Sequence, residues 1–308
     1  MKTIKSILCL AAAALTIGGC DDNLPIDKEQ YKKVVYLTRA IDEVKNEYVN
    51  YAYDRDTVYV SVSVSGTTYT DRDIRVTFGE DNEAINRYNR RTLSGAEIQN
   101  RHLQAAAYEY PQEDVVIKAG ENTAIYPVYI YPENLHCDSL YMIPVRIASV
   151  STYEMRTEID TVLLAKINLV NKYSGKYHIR GSIINLETGN KHAYDVPRNL
   201  TATSKNSVRM YHEAPETKNY LQSSTLTLSV NEDKTLSFAA WNTFDITDGE
   251  GTYLPGMKLF DLWYEYTSGG TKYRVEGYLY QVPGTELEQE YIDDWIDEQL
   301  RLKEEAEG

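Results

Sequence analysis

The chain between Val34 and Val170 alternates apolar and polar positions with a period of two residues. In residues 57–65, TVYVSVSVS, four valines face one way and Tyr59 and the serines face the other, which predicts a strand with one buried and one solvated face. Comparable runs occupy residues 34–38, 74–78, 114–118, 124–131, 140–148 and 161–170. Seven such short strands predict an all-β domain, an immunoglobulin-like antiparallel sandwich over residues 34–170.

One insertion interrupts this alternation. Residues 82–91 and 95–107 are rich in helix-forming residues and poor in β-branched ones, and Ser94 is a candidate N-cap for the second segment. We therefore expect two short helices that cross one end of the sandwich.

A second domain, residues 171–308, is predicted to begin where the chain turns polar at residues 171–177, NKYSGKY. Its candidate strands are residues 176–186, 191–203, 207–211, 224–230, 235–241, 259–267 and 271–280. Hairpin sequences such as ETGN and SGGT join several of them without an intervening helix. This arrangement predicts an antiparallel meander that either closes into a lipocalin-like barrel or forms a second sandwich.

The chain ends in an acidic, helix-prone segment, residues 286–307. An apolar stripe formed by Leu287, Tyr291, Trp295 and Leu302 predicts a terminal helix that docks on the second domain through this stripe or frays at the terminus.

Residues 1–19 have the features of an export signal. Lys2 and Lys5 precede an apolar stretch that is too short to span a bilayer. The stretch ends in IGGC, which resembles the lipobox of bacterial lipoproteins. That resemblance implies that residues 1–19 are removed and that Cys20 is diacylated, and two acyl chains suffice for stable membrane anchoring.

The residues that follow Cys20 indicate where the anchor would place the protein. Asp21 and Asp22 resemble the surface-export signal of Bacteroidetes lipoproteins, which implies the outer face of the outer membrane. Residues 20–33 are mostly polar and are expected to act as a lipidated tether between the membrane and the sandwich.

Composition excludes several classes of protein. The 308 residues include 46 acidic and 32 basic side chains, for a net charge of −14, so the chain lacks the basic footprint of a nucleic-acid binder. The sequence contains no nucleophile elbow, zinc-protease motif or phosphate-binding loop. We therefore expect a non-catalytic protein that uses no cofactor and no metal.

One thiol, Cys137, remains after Cys9 in the leader and the acylated Cys20 are set aside, so an intramolecular disulfide is excluded. It follows His136 directly. Because adjacent side chains point apart on an extended chain, we interpret the pair as a buried thiol beside a surface histidine rather than as a metal or nucleophile site.

Several segments together resemble a known family, the two-domain Bacteroidetes surface lipoproteins of unknown function encoded beside SusC/SusD-type glycan-uptake systems. The similar segments are the lipobox, the helix at Tyr88-Asn89, and residues 115–120, 141–145 and 171–177. The resemblance implies an immunoglobulin-like N-terminal domain, SusC/SusD-like outer-membrane partners and, by analogy with operon neighbours, surface glycan binding. It implies no established activity.

The aromatic composition fits a sugar binder, with 27 tyrosines against 4 phenylalanines and 3 tryptophans. Tyrosine and tryptophan offer flat rings for the C–H faces of sugars together with a polar group. In residues 260–266, FDLWYEY, alternation places Trp263 on one face with Asp261 and Glu265, as in a sugar-stacking platform. The alternative is a half-exposed ring that covers the sheet or lies under the terminal helix.

A second candidate site begins at Trp241, which ends a predicted strand and opens a polar segment, residues 242–253. We interpret this segment, which ends at Tyr253, as a long loop, where binding residues usually gather. Tyr278 could extend the Trp263 platform or instead make cross-strand aromatic pairs. The alternative for the loop is a Ca²⁺ site formed by its carboxylates, Asp245, Asp248 and Glu250.

The sequence thus predicts an outer-membrane lipoprotein that captures a glycan, with the N-terminal sandwich as a spacer and the C-terminal domain as the reader. The candidate ligand-binding residues are Trp241, Tyr253, Asp261, Trp263, Glu265 and Tyr278. The alternatives are a structural or adhesion lipoprotein that acts through protein–protein contacts and a glycan-processing enzyme.

Overall fold

The computed structural model describes residues 28–40, 44–96, 98–156, 162–212 and 216–307. The predicted export signal, Cys20 and the first part of the tether lie outside the described residues. Within those ranges no helix combines the length and the apolar character needed to cross a bilayer.

The N-terminal half folds into two facing sheets. Its strands are β1 (Val34–Leu37), β2 (Val44–Asn50), β3 (Asp56–Val64), β4 (Ile74–Glu80), β5 (Asn100–His102), β6 (Tyr108–Glu109), β7 (Asp114–Ile117), β8 (Thr123–Ile130), β9 (Leu140–Val150), β10 (Glu154–Met155) and β11 (Val162–Val170). One sheet has the order β10-β1-β3-β8-β6 and the other the order β2-β11-β9-β4-β7, with β5 added beside β9.

The core of this half lies between the two sheets. Val60 and Val128 from the first sheet and Ile143 and Leu163 from the second are fully buried. The valines of β3 face this core while Tyr59 on the same strand faces solvent, so the alternation predicted from the sequence is confirmed, as is the β-sandwich.

Among the described residues of the insertion, one segment forms an α-helix, α1 (Asn82–Thr92), whose N-cap Asp81 accepts a hydrogen bond from the backbone of Ala84. The second predicted helix is wrong, because residues 100–102 pair with β9 as a strand and residues 105–107 form only one 3₁₀ turn. The buried Asn89 side chain explains this outcome. It donates to the carbonyl of Asn100 at 2.7 Å and accepts from the Asn100 backbone at 3.1 Å, so tertiary pairing overrides local helix propensity.

The C-terminal half is a single antiparallel sheet that is nearly closed into a barrel. Its strands are β12 (Gly175–Asn185), β13 (Lys191–Ala202), β14 (Ser207–Tyr211), β15 (Thr225–Val230), β16 (Leu236–Ala240), β17 (Ile246–Leu254), β18 (Leu259–Ser268) and β19 (Thr271–Gln281). The order is β16-β15-β14-β13-β12-β19-β18-β17, and a bridge between Thr235 and Thr252 brings its two edges together. Of the two predicted alternatives, the structure therefore shows the barrel and not a second sandwich.

Strand β17 corrects the expectation of a loop over residues 242–253, since the chain is extended from Ile246. The sequence did not predict this strand because Gly249 and Gly251 have low strand propensity. Packing nevertheless requires glycine at both positions. A Cβ on Gly249 would lie 2.8 Å from the Phe238 ring, and one on Gly251 would lie 2.5 Å from the carbonyl oxygen of Asp261.

The terminal helix α2 (Glu286–Glu307) covers part of the outer face of the barrel. Trp295 packs against the barrel as predicted, together with Ile292 and Ile296. The rest of the predicted stripe is wrong, because Leu287, Tyr291 and Leu302 are exposed. Arg180 of β12 explains the orientation: it donates to Asp293 and Asp297, which flank the ridge of Ile292 and Ile296.

Candidate functional site

Trp263 and Glu265 lie together on the outer face of β18, as the alternation predicts, while Tyr264 between them is buried. The Arg274 guanidinium lies 4.6 Å from the centroid of the Trp263 ring and donates two hydrogen bonds to Glu265 Oε1. The neighbouring strands place Glu250 and Glu276 opposite Trp263. Trp263 is half-buried, and a cation already occupies one of its faces.

The other candidates on these strands do not join Trp263. Tyr253 is 1% exposed and packs edge-on against Tyr173 inside the barrel. Tyr278 is also 1% exposed and lies under α2 against Trp295, with ring centroids 5.4 Å apart. Neither tyrosine presents a ring face to a ligand, which corrects the expectation for both residues.

Asp261 is drawn toward α2 as well, since Lys303 Nζ donates to its carboxylate at 3.3 Å. The alternative of a Ca²⁺ site also finds no support. Among the residues that the structure describes, Asp245, Asp248 and Glu250 do not gather into a group of metal ligands.

Trp241 lies where the two halves of the chain meet. Arg209 of β14 places its guanidinium carbon 4.7 Å from the centroid of the Trp241 ring, and its Nη1 donates to Asp138 Oδ1 at 2.5 Å. Asp138 belongs to the loop before β9, which also brings the ring of His136 to 6.1 Å from that of Trp241. We refer to Trp241, Arg209, Asp138 and His136 as the junction site.

The Arg209–Asp138 pair is largely withdrawn from water, with side-chain exposures of 7% and 27%. Such a pair holds its geometry more firmly than a surface ion pair does, because breaking it leaves a buried charge without a partner. Arg209 Nε has no hydrogen-bond partner among the described residues. Because this nitrogen is buried, the guanidinium contributes to the site through its contact with the Trp241 ring and its pair with Asp138.

Cys137 lies beneath this site, with Sγ 3.9 Å from Arg209 Nη1. Burial raises the pKa of the Cys137 thiol to about 11, so the thiol is protonated at neutral pH. The ligand atoms of His136, Cys137 and Asp138 lie within 4.8 Å of one another, so these side chains converge instead of pointing apart as expected. Because Arg209 already supplies the positive charge beside Asp138, the group as it stands is a hydrogen-bonding cluster.

The junction site combines a half-buried indole with an exposed imidazole, a guanidinium and a carboxylate. An aromatic face with convergent polar groups is the arrangement that binds the C–H face and the hydroxyls of a sugar. Sequence reasoning identified Trp241 and discussed His136, but it missed Asp138 and Arg209. Arg209 carries no local signal, because strand pairing within the barrel brings it under the indole and the contact between the two halves brings Asp138 to it.

Two family models each match one part of the chain. A model of an N-terminal domain matches residues 30–154, and a model of a C-terminal domain matches residues 161–280. Together with the fold, they define a class of two-domain β proteins in which a sandwich precedes a barrel. The chain belongs to the two-domain Bacteroidetes family of unknown function.

Solved structures from Bacteroides have the same architecture. A Bacteroides ovatus protein of unknown function is 19% identical, with a TM-score of 0.61 over 82% of this chain and 98% of that chain. A multidomain B. ovatus protein that includes DUF1735 is 20% identical, with a TM-score of 0.60 over 81% and 94%. A protein described as an auxiliary nutrient binding protein, from Bacteroides thetaiotaomicron, is 17% identical, with a TM-score of 0.57 over 79% and 91%. No curated protein matches this sequence.

Proposed function

We propose that this protein is a non-catalytic lipoprotein of the outer-membrane surface that binds a glycan at the junction site. The observation that carries the proposal is the packing of Trp241 over the Arg209–Asp138 pair, with His136 beside it. The nutrient-binding description of the B. thetaiotaomicron structure supports the same reading. The IGGC sequence at residues 17–20 supports the lipid anchor, and we expect a SusC/SusD-like partner in the same membrane.

The ligand-binding part of the proposal is tested by isothermal titration of the full chain with neutral polysaccharides: xylan, galactomannan, mixed-linkage glucan and starch. We expect Trp241→Ala to weaken binding about tenfold, which corresponds to 1.4 kcal/mol. Tyr48→Ala provides a control, because Tyr48 is 70% exposed on β2, outside the junction site.

Trp263→Ala in the same titration shows whether the Trp263–Arg274 pair contributes. Unchanged affinity in Trp241→Ala would remove the junction site from the proposal. Release of reducing sugar from any of the four polymers would contradict its non-catalytic part.

A further inference from the structure

A cleft of about 440 Å³ opens at the other end of the sandwich from the junction site. Strand β9 starts beside the loop of His136 and ends close to Tyr153, and its eleven residues span about 35 Å. The cleft is lined by Glu29, Tyr31, Lys32, Lys33, Thr68, Tyr69, Asp71, Tyr153 and Glu154. We call it the tyrosine cleft.

Two of its tyrosines present their rings to solvent, since Tyr31 is 69% and Tyr69 72% exposed. A network around Glu29 fixes the segments that carry these rings relative to each other. The Glu29 carboxylate accepts hydrogen bonds from the backbone of Thr67 and the hydroxyl of Thr68, each at 2.7 Å, and pairs with Lys33. The two rings are therefore held on a common frame instead of on independent loops.

Tyr153 forms another wall of the cleft and is held in an unusual conformation. Its φ is +65°, in the left-handed region that bulky residues rarely occupy. The ring packs against the core of the sandwich, and the hydroxyl donates to Asp71 Oδ1 at 2.6 Å. Backbone strain of this kind is found preferentially at ligand-binding positions.

The charges of the tyrosine cleft are compensated within the protein. Glu29 pairs with Lys33, Glu154 with Lys32, and Asp71 with the adjacent Arg72. A free ion would have to compete with these pairs. A neutral ligand rich in hydroxyl groups can instead stack on the exposed rings and exchange hydrogen bonds with the paired side chains.

We propose that the tyrosine cleft is a second sugar-binding site, which takes residues of the same neutral polysaccharide as the junction site. This inference rests on the proposed function and extends it from one site to two. Since the two sites are about 35 Å apart, a long polymer can reach both while a short oligosaccharide cannot. Simultaneous binding raises the affinity for the polymer through effective concentration, without further contacts.

The test is a titration of the full chain with four hexasaccharides (xylohexaose, mannohexaose, cellohexaose and maltohexaose) and with their parent polymers. For the hexasaccharide that binds, we expect two molecules per wild-type chain. One molecule should bind to the Tyr31→Ala/Tyr69→Ala double variant and one to Trp241→Ala. Either change should weaken binding of the polymer by tenfold or more. The control Tyr48→Ala should keep both the stoichiometry and the affinity.

The outcomes separate the two proposals. If the tyrosine double variant keeps the wild-type stoichiometry and polymer affinity while Trp241→Ala loses binding, the cleft proposal is overturned and the junction site stands. If the tyrosine double variant loses binding while Trp241→Ala keeps it, the junction-site proposal is overturned and the cleft proposal stands. If none of the four hexasaccharides binds to the wild type, both are overturned. Loss of binding to phosphatidylethanolamine vesicles in the tyrosine variant, without any effect on sugars, would assign the cleft to the membrane surface instead. Thermal unfolding of each variant verifies that it is folded.

Discussion

His212 lies inside the barrel, enclosed by aromatic rings. Its Nδ1 is 2.7 Å from the Tyr264 hydroxyl, and its ring contacts Phe244 and Tyr266. Burial, together with the positive charge of Arg198, lowers the pKa of His212 to about 3. In the unfolded chain a histidine titrates near pH 6.5. Between about pH 3 and pH 6.5 the unfolded chain therefore binds one more proton than the folded chain.

From this difference we expect the free energy of unfolding to fall as the pH is lowered from 6.5 toward 4. The contribution of His212 to this slope is at most about 1.4 kcal/mol per pH unit. Urea unfolding of His212→Gln should show a shallower slope in this range than the wild type does. The control is His192→Gln, which makes the same substitution at an exposed position of β13 instead of inside the barrel. Equal slopes in all three proteins would contradict this account of His212.

Strands β12 and β19 approach each other closely where Gly181 faces Gly277. A Cβ on Gly181 would lie 2.0 Å from the carbonyl oxygen of Glu276 and 2.6 Å from the Cα of Gly277. Both obstacles are backbone atoms, which cannot move aside without disturbing the ladder. The glycine pair therefore allows the central strands of the barrel to pack closely.

Gly181→Ala should accordingly destabilise the barrel by about 2–3 kcal/mol or more, as expected of overpacking against a rigid neighbour. Gly284→Ala is the matched control, because a Cβ there meets nothing within 4 Å. Its effect should stay within about 0.5 kcal/mol. Chemical denaturation of the three proteins measures the difference, and a Gly181→Ala variant as stable as Gly284→Ala would show that the strands can separate at little cost.

At the scale of the whole molecule, contacts between the two halves set the geometry of the junction site. Asn171, at the start of the connection, donates to the carbonyls of Ser204 and Ser207 at 2.7 and 2.8 Å. The Arg209–Asp138 pair joins the barrel to the loop that carries His136. The position of His136 relative to Trp241 thus depends on both halves, and the sandwich contributes to the site instead of serving only as the predicted spacer.

Membrane anchoring through Cys20 is a prediction at the scale of the whole molecule, and Cys20→Ala tests it. If Cys20 carries the anchor, the wild-type protein expressed in a Bacteroides host should fractionate with the outer membrane, and the variant should not. Mass spectrometry of the wild-type N-terminus should show a diacylated cysteine, with Cys137→Ala as a control that leaves fractionation unchanged. An unmodified N-terminus in the wild type would contradict the predicted anchor.

Much of the fold was predictable because a strand with one buried face alternates apolar and polar residues within its own segment. The alternation in β3 and β18 identified their buried faces, and hairpin sequences identified the meander. Prediction failed where distant residues decide the local structure. Residues 100–102 form a strand because they pair with β9 and are held by hydrogen bonds to the Asn89 side chain. Strand β17 needs glycines because the Phe238 ring and the Asp261 carbonyl oxygen leave no room for a Cβ.

By itself, the sequence determined the all-β class, the first helix of the insertion, the terminal helix and the outward position of Trp263, because each follows from the pattern of a single segment. Only the tertiary structure decided that the second sheet curls into a barrel, that Tyr253 and Tyr278 are buried, and that Trp241 meets Arg209, Asp138 and His136. These features depend on which remote segments come into contact, and a pattern along one segment carries no information about its partner across the fold.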